Sequence, residues 1–368
     1  MSPSDLFIEV VGLALRFLPW KAPTGLVAVG RPGRDAPVLL TGNYRLTLSR
    51  VRRALKGRDL WLLAADSRGI NVWCAAGGGH LTNSDVISLL QSSGIAERVD
   101  HRRLILPQLT ATGLQPRIIE EHSGWQAVFG PVLARHLPAY LERGRTTSDM
   151  RTIGFPPAHR LEIGAYWGIP MGVVMLAAGW PLFGIYPAAI CAAAAFVVVV
   201  GVSLLLPWIP IIGWKRLWTA LGAAGTFVFI TGCIWSLSHG ISGGALAMFA
   251  VVGLVVSGVL TADLAGTTPV CGSGLFHTGR YHIKPVADRC SGTAMCILVC
   301  PRSVLEMRER RVHLARPGNC IRCGACIVQC PEDALLFRIQ DGSAIEASTI
   351  RRRKLDLLGR RTVTIPDL

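Results

Sequence analysis

The sequence predicts a multi-domain chain: an α/β layer domain, then a bundle of four apolar helices, then a small α+β module built on cysteines. Three observations carry this. Short β-prone runs alternate with helical patterns over residues 40–150, four apolar segments of spanning length follow, and seven of the eleven cysteines fall between residues 290 and 330. Strand–helix alternation implies parallel strands covered by helices. About 20 apolar residues cross the hydrocarbon of a bilayer. Cysteines crowded at C-x-x-C-like spacing hold metal clusters in a reducing compartment rather than forming disulfides. A hydrophobic content of 51% and a mean hydropathy of +0.42 are too apolar for an ordinary soluble protein. The net charge of +15 comes from scattered Lys and Arg with no nucleic-acid motif, so no nucleic acid is expected. An anionic lipid bilayer explains the excess more simply.

Residues 1–39 read as an amphipathic helix within Leu6–Trp20, interrupted by Glu9 and Arg16, followed by irregular chain. In the α/β domain, residues 40–150, helices are expected over Leu46–Leu55, about Asn83–Ser93 (stopped at Gly94), Arg117–His122 and Leu137–Glu142. Strands are expected over Leu60–Ala65, Leu104–Leu106 and Gln126–Phe129, with a β-prone run at Ile70–Trp73 after the turn Ser67-Arg68-Gly69. The transmembrane domain, residues 161–265, holds spans at about 162–181, 184–207, 217–238 and 243–263, with Cys191 and Cys233 as packing residues and Asp263 at the end of the last. Arg143, Arg145, Arg151 and Arg160 precede the first span. Lys215 and Arg216 separate the second from the third, and Arg280, Lys284 and Arg289 follow the fourth. The other two loops carry no Lys or Arg, so the expectation is a multi-pass protein of the cell's inner (cytoplasmic) membrane with both terminal domains cytoplasmic.

One thiol stands apart. Asn71 can cap a short helix closed by Gly77 to Gly79, which puts Cys74 in its first turn. The positive end of the helix dipole favours the thiolate, which suits a soft-metal ligand or a nucleophile. The plain alternative is a buried, inert cysteine. The histidine-ligand signature Asp-x-His-x-x-Gly is absent, and His80, His101 and His122 read as polar surface or capping residues.

Cys320-x-x-Cys323-x-x-Cys326-x-x-x-Cys330-Pro331 is the full bacterial ferredoxin run. Thirty residues earlier stands Cys290-x5-Cys296-x3-Cys300-Pro301, the same run with Thr293 in place of its second cysteine. In two-cluster ferredoxins the fourth cysteine of each run ligates the other cluster. Cys300, Cys320, Cys323 and Cys326 then complete one [4Fe–4S] site. Cys290, Cys296 and Cys330 leave the second with three thiolates, for a [3Fe–4S] cluster, a [4Fe–4S] cluster with a non-Cys ligand, or none. Residues 280–340 are thus expected as a dicluster ferredoxin domain. Residues 341–368 form a basic tail whose Arg351-Arg352-Arg353-Lys354 lies on lipid head groups or in solvent.

The segment Asn71-Val72-Trp73-Cys74-Ala75-Ala76-Gly77 resembles the cap-helix motif of the corrinoid proteins of microbial mercury methylation, themselves similar to the corrinoid iron–sulfur protein of the acetyl-CoA pathway. Asn43-Tyr44-Arg45-Leu46 and His101 through Leu109 add to the likeness, and the cysteine module resembles that family's ferredoxin partner. The resemblance implies a Rossmann-like corrinoid-binding domain, with Asn71 to Gly77 against the cofactor and Cys74 as lower axial ligand of the cobalt. It implies cobalamin as cofactor and a corrinoid-dependent methyltransferase whose fused ferredoxin reduces the cobalt. The implied partners are a methyl-donor protein or methylated folate and a thiol-bound metal acceptor, Hg(II) or another thiophilic centre. Departures exist: Gly78 stands where the family has Lys, Gly79-His80-Leu81-Thr82-Asn83 replaces Gly-Thr-Phe-Gly-Thr, the tail has no cysteine pair, and four spans stand for the family's five. The competing reading is a membrane-anchored Fe–S electron-transfer protein with a degenerate corrinoid domain. A hydrolase using Cys74 with His80 or His101 lacks a partner arrangement.

Overall fold

Leu60–Ala65 carries no charged side chain and all six residues are buried, the mark of a strand covered on both faces. The computed structural model places it inside a five-stranded sheet, and describes residues 3–14, 18–205, 208, 214–240, 243–266, 281–339, 342–355 and 362–364. The first helix is α1 (Pro3–Ala14). The sheet is built from β1 (Gly25–Val29), β2 (Val38–Gly42), β3 (Leu60–Ala65), β4 (Arg103–Leu106) and β5 (Gln126–Phe129), in the order β1-β3-β2-β4-β5. Between and after the strands run α2 (Arg45–Ala54), α3 (Val72–Gly77), α4 (Asn83–Ser92), α5 (Pro116–Ser123), α6 (Leu137–Arg143) and α7 (Ser148–Arg151). Glycines in the left-handed region end α5 and α6, at Gly124 (φ +71°) and Gly144 (φ +69°).

Two expectations need correction. The segment before residue 40 is not irregular throughout: it supplies β1 and the start of β2, and β1 pairs antiparallel with β3 (Gly25↔Ala64 to Val29↔Leu60). Its half-buried edge position explains why Gly-Leu-Val-Ala-Val gives so little alternation. The β-prone run Ile70–Trp73 is no strand, because the Asn71 cap turns the chain into α3 at Val72. The remaining strands are parallel, as alternation implies.

The chain divides into two compact units. One holds Met1–Ile8, Pro19–Gly154 and Gly279–Leu368, the other Glu9–Leu18 and Phe155–Thr278. In the second lie α8 (Pro157–Phe183), α9 (Ile185–Leu205), α10 (Trp214–His239) and α11 (Gly243–Gly266), helices over the four apolar segments. Among the described residues, only α8 and α9 are long and apolar enough to cross a membrane, with Gly243–Gly258 a shorter apolar stretch. Thr226, Thr231, Ser236 and Ser238 dilute α10. Cys191, Ala195, Val199, Val228, Phe249 and Val256 form a shared core, as expected of Cys191. Small residues let helices approach: a Cβ on Gly225 would lie 2.6 Å from the Gly253 carbonyl. The side chains of Lys215, Arg216 and Asp263, and residues 267–280 with Cys271 and Arg280, lie outside the described residues.

The cysteine module lies in the first unit. Its elements are β6 (Tyr281–Pro285), α12 (Met295–Val299), β7 (Leu305–Arg308), β8 (Arg311–Leu314), α13 (Ala325–Val328), β9 (Leu335–Ile339), β10 (Ala344–Ile345), α14 (Ala347–Arg352), β11 (Arg353–Leu355) and β12 (Thr362–Thr364). β9 pairs antiparallel with β6 and β10, and β7 with β8. The expected basic tail is partly structural. Ala347 and Ile350 are buried in the module's core, and the Arg351 guanidinium donates to the carbonyls of Val328 and Cys330 and pairs with Asp333. Carbonyls at a helix end need donors, so this arginine turns inward.

Candidate functional site

The parallel strands end at one edge of the sheet, and the order reverses at β2, between β3 and β4. Crevices outside such strand ends are where α/β sheets take ligands. The loop after β3 is fixed by Asn43, buried at the end of β2. Its Oδ1 accepts from Ser67 N–H (2.9 Å), Ser67 Oγ–H (3.1 Å) and Gly69 N–H (3.1 Å), while its Nδ2 donates to Asp66 Oδ1 (3.0 Å). The Ser67 hydroxyl also approaches the Ile70 carbonyl (2.8 Å). A turn so held delivers Asn71, whose Oδ1 accepts from the Cys74 N–H at 2.9 Å and starts α3.

On α3, Ala75 and Ala76 are fully buried, Val72 leans on the core, and Cys74 is exposed and in no disulfide. Asn71 Nδ2 approaches the Cys74 Sγ at 3.4 Å. Cys74 is therefore not the inert core thiol of the plain alternative. Trp73 and Gly77 are half-buried beside it. The family departure at Gly78 has a local counterpart: a Cβ there would lie 2.9 Å from the Cys74 carbonyl, so the loop as built suits glycine. His101 bonds the Ala36 carbonyl and His122 the Ile118 carbonyl, structural roles as expected. An exposed soft donor, set on a hydrogen-bonded turn with only alanines and glycines in the five residues after it, fits a thiophilic metal such as corrinoid cobalt.

The four cysteines assigned to the first cluster do converge. Cys300, Cys320, Cys323 and Cys326 line one cavity, together with Ile283, Pro301 and Ile321. Cys290, Cys296 and Cys330 line a second, with Thr293 and Glu332. Matching backbone donors reach sulfur in the two halves: Val304 N–H to Cys300 Sγ (3.4 Å) and Ala334 N–H to Cys330 Sγ (3.3 Å). Burial pushes Cys296 and Cys323 up to about 12 and Cys326 well above the usual thiol range, with neighbouring thiolates adding to the shift. Buried thiols this reluctant to ionise become thiolates when iron neutralises their charge. The donor sets thus fit iron–sulfur clusters.

Known proteins agree in both halves. A family model described as CO dehydrogenase/acetyl-CoA synthase delta subunit matches residues 17–141, and one described as 4Fe-4S dicluster domain matches residues 282–339. The acetyl-CoA decarbonylase/synthase complex subunit gamma of Archaeoglobus fulgidus is 35% identical over 148 residues, 38% of this chain and 31% of that one. The corresponding subunit of Methanopyrus kandleri is 32% identical over 127 residues, 34% of this chain and 27% of that one. Subunit gamma 2 from Methanosarcina mazei is 38% identical over 119 residues, 31% of this chain and 25% of that one. The chain thus spans about a third or less of the length of these relatives. A corrinoid for the N-terminal domain and iron–sulfur clusters for the C-terminal one are the cofactors these matches support.

Sequence reasoning did not single out Asn43 and Ser67 as the residues that set the cysteine loop. An apolar strand ending in Gly42-Asn43 was the available signal, since a polar residue directly after a buried strand must find partners.

Proposed function

We propose that the chain is a membrane-bound, corrinoid-dependent methyltransferase with its own electron-delivery module, passing a methyl group to a thiophilic acceptor such as thiol-bound Hg(II). One observation carries the reading: an exposed thiol, Cys74, on a capped helix at the ligand edge of an α/β sheet, in the same compact unit as a four-thiol cavity. When bound, the corrinoid supplies a cobalt centre that accepts and hands on a methyl group, and the clusters supply single electrons at low potential. Cys74 would hold the metal as a strong thiolate donor. Asn71 does two jobs, capping α3 and donating to the sulfur, which tempers its electron donation as outer-shell groups do. Asn43 fixes the height of the loop. Fusing donor and acceptor replaces an encounter by a local concentration that reaches roughly millimolar. The methyl comes from a protein or a folate carrier.

Membrane spanning by all four long helices, with both flanking domains on the cytoplasmic side, belongs to the same proposal. It is supported by large apolar side chains facing outward on each helix, among them Val173 on α8, Val197 on α9, Leu237 on α10 and Leu254 on α11. Such a surface is costly in water and suited to lipid. The distribution of Lys and Arg among the loops supports the orientation.

The test uses anaerobic full-length protein, loaded with methylcobalamin and mixed with glutathione-bound Hg(II), beside Cys74→Ala. Methylmercury formed by the first and reduced at least about tenfold in the second supports the proposal. If corrinoid binds but no methyl leaves, the acceptor is wrong. If none binds, the protein is an electron carrier with an altered N-terminal domain.

A further inference from the structure

The two cluster cavities are not placed alike within the first unit. The turn of 3-10 helix Gln108–Thr112, which follows β4, packs on α3 and also on α12 and α13. Ala111 is fully buried there against Val299 and Ala325, with Phe129 and Cys323 around them. A Cβ on Gly77 would lie 3.7 Å from Thr112 Oγ1, so the same turn lies against the last residue of α3. One strap of five residues therefore touches both the thiol helix and a ligand-bearing segment of the first cluster.

Gln329, buried directly after α13, locks this contact. Its Nε2 donates to the carbonyls of Ala111 (2.8 Å) and Leu114 (2.7 Å). A second seam runs beside Cys300: Ile153 N–H donates to the Pro301 carbonyl (2.9 Å), Arg302 Nη1 to the Ile153 carbonyl (2.6 Å), and the Thr152 and Ser303 hydroxyls lie 2.9 Å apart. Gln108 joins the seams by donating to the Arg151 carbonyl (2.9 Å). The Ile153–Arg302 seam flanks Cys300, while the Gln329 seam lies between Cys326 of the first cluster and Cys330 of the second, so it is the packing of Ala111 on Ala325 beside Cys323 that favours the first. The second cavity differs: Ser291, Thr293 and Glu332 on its wall are exposed.

From this placement we infer that the cluster held by Cys300, Cys320, Cys323 and Cys326 is the terminal electron donor to the group bound at Cys74, that residues 108–112 are the coupling strap, and that Gln329 is a positioning residue keeping the two docked. The inference rests on the proposed function and adds the direction of flow. Each transfer moves one electron: the first cluster is oxidised by one and the cobalt reduced by one. A low-potential one-electron reductant of the Ti(III) class restores the cluster, reaching it from outside or through the second, solvent-facing site. The buried face of α3 meets the strap while the thiol is exposed, so delivery through the strap leaves that side clear.

Full-length protein reconstituted with iron, sulfide and cobalamin is compared with Gln329→Ala, Gln329→Met and Cys326→Ala. In the Gln329 variants two buried carbonyls lose their donor. Amide exchange over residues 108–114 and 325–329 should rise about tenfold or more, with cluster EPR unchanged. Single-turnover reduction of the bound cobalt should slow to a similar degree. Cys326→Ala should lose the first cluster's EPR signal, and single-turnover reduction of the bound cobalt should fall at least about tenfold. Unchanged exchange in both Gln329 variants overturns the docking role. A rate retained in Cys326→Ala with the first cluster's signal gone means that the first cluster is not the donor and overturns the assignment. Wild-type protein that binds no cobalamin overturns the proposed function instead, and the exchange measurement still decides whether Gln329 holds the strap.

Discussion

The two halves of the cysteine module are built on one plan and differ where it matters. Each begins with a 3-10 turn, Ala287–Arg289 or Pro317–Asn319, that leads into its first cysteine. Each then enters a short helix through a left-handed residue, Ala294 (φ +60°) or Gly324 (φ +75°). Thr293 precedes the first of these and Cys323 the second. The half with a complete ligand set also has glycine at the left-handed position. The incomplete half pays a steric penalty there, since a Cβ in that region costs about 1–2 kcal/mol. One site keeps the full plan and the other departs from it, and the complete site has Cys323 packed beside Ala111 of the α/β domain.

Cys326→Ala cuts deepest into this comparison. It removes a buried ligand of the complete site, so the first cluster's EPR signal should vanish and thermal unfolding should show a loss of about 3 kcal/mol or more. Thr293→Cys should make the halves alike, with iron content rising and the second site's signal becoming that of a four-thiolate cluster. An unchanged iron content would mean that the second cavity is closed to a fourth thiolate. Loading should also depend on pH. Apo Cys296 and Cys323, raised to about 12, are protonated at neutral pH, and iron must displace those protons. Iron affinity should therefore rise from about pH 6 to about pH 9, as reconstitution followed by absorbance can show. The smallest effect is Ala294→Gly, which should relieve the left-handed alanine and raise stability by about 1 kcal/mol in a thermal melt, with no change in either cluster.

Periodicity and spacing made much of this legible. The cysteine runs named both cavities because ligand spacing is local, and Leu60–Ala65 and Gly94 marked a strand and a helix end through residues that act on their own neighbours. The capping power of Asn71 did the same for α3. What stayed hidden depends on partners far along the chain. The edge strand Gly25–Val29 is defined by pairing with β3, not by its own pattern. Arg351 reads as one of four surface charges until the carbonyls of Val328 and Cys330 come to it. Gln329 sits beside a cysteine ligand, yet its role needs Ala111 and Leu114, more than 200 residues away. Hydropathy located four helices, while among the described residues the length-and-apolarity criterion for crossing a membrane is met by two.

The most direct test of the central claim is the pair of absorption and EPR spectra of anaerobic, cobalamin-reconstituted protein and its Cys74→Ala variant. The account predicts a cobalt spectrum shifted by thiolate ligation in the wild type and lost in the variant, with the iron–sulfur signals equal in both. Identical cobalt spectra in the two proteins, or cobalamin that fails to bind while the clusters are intact, would contradict it.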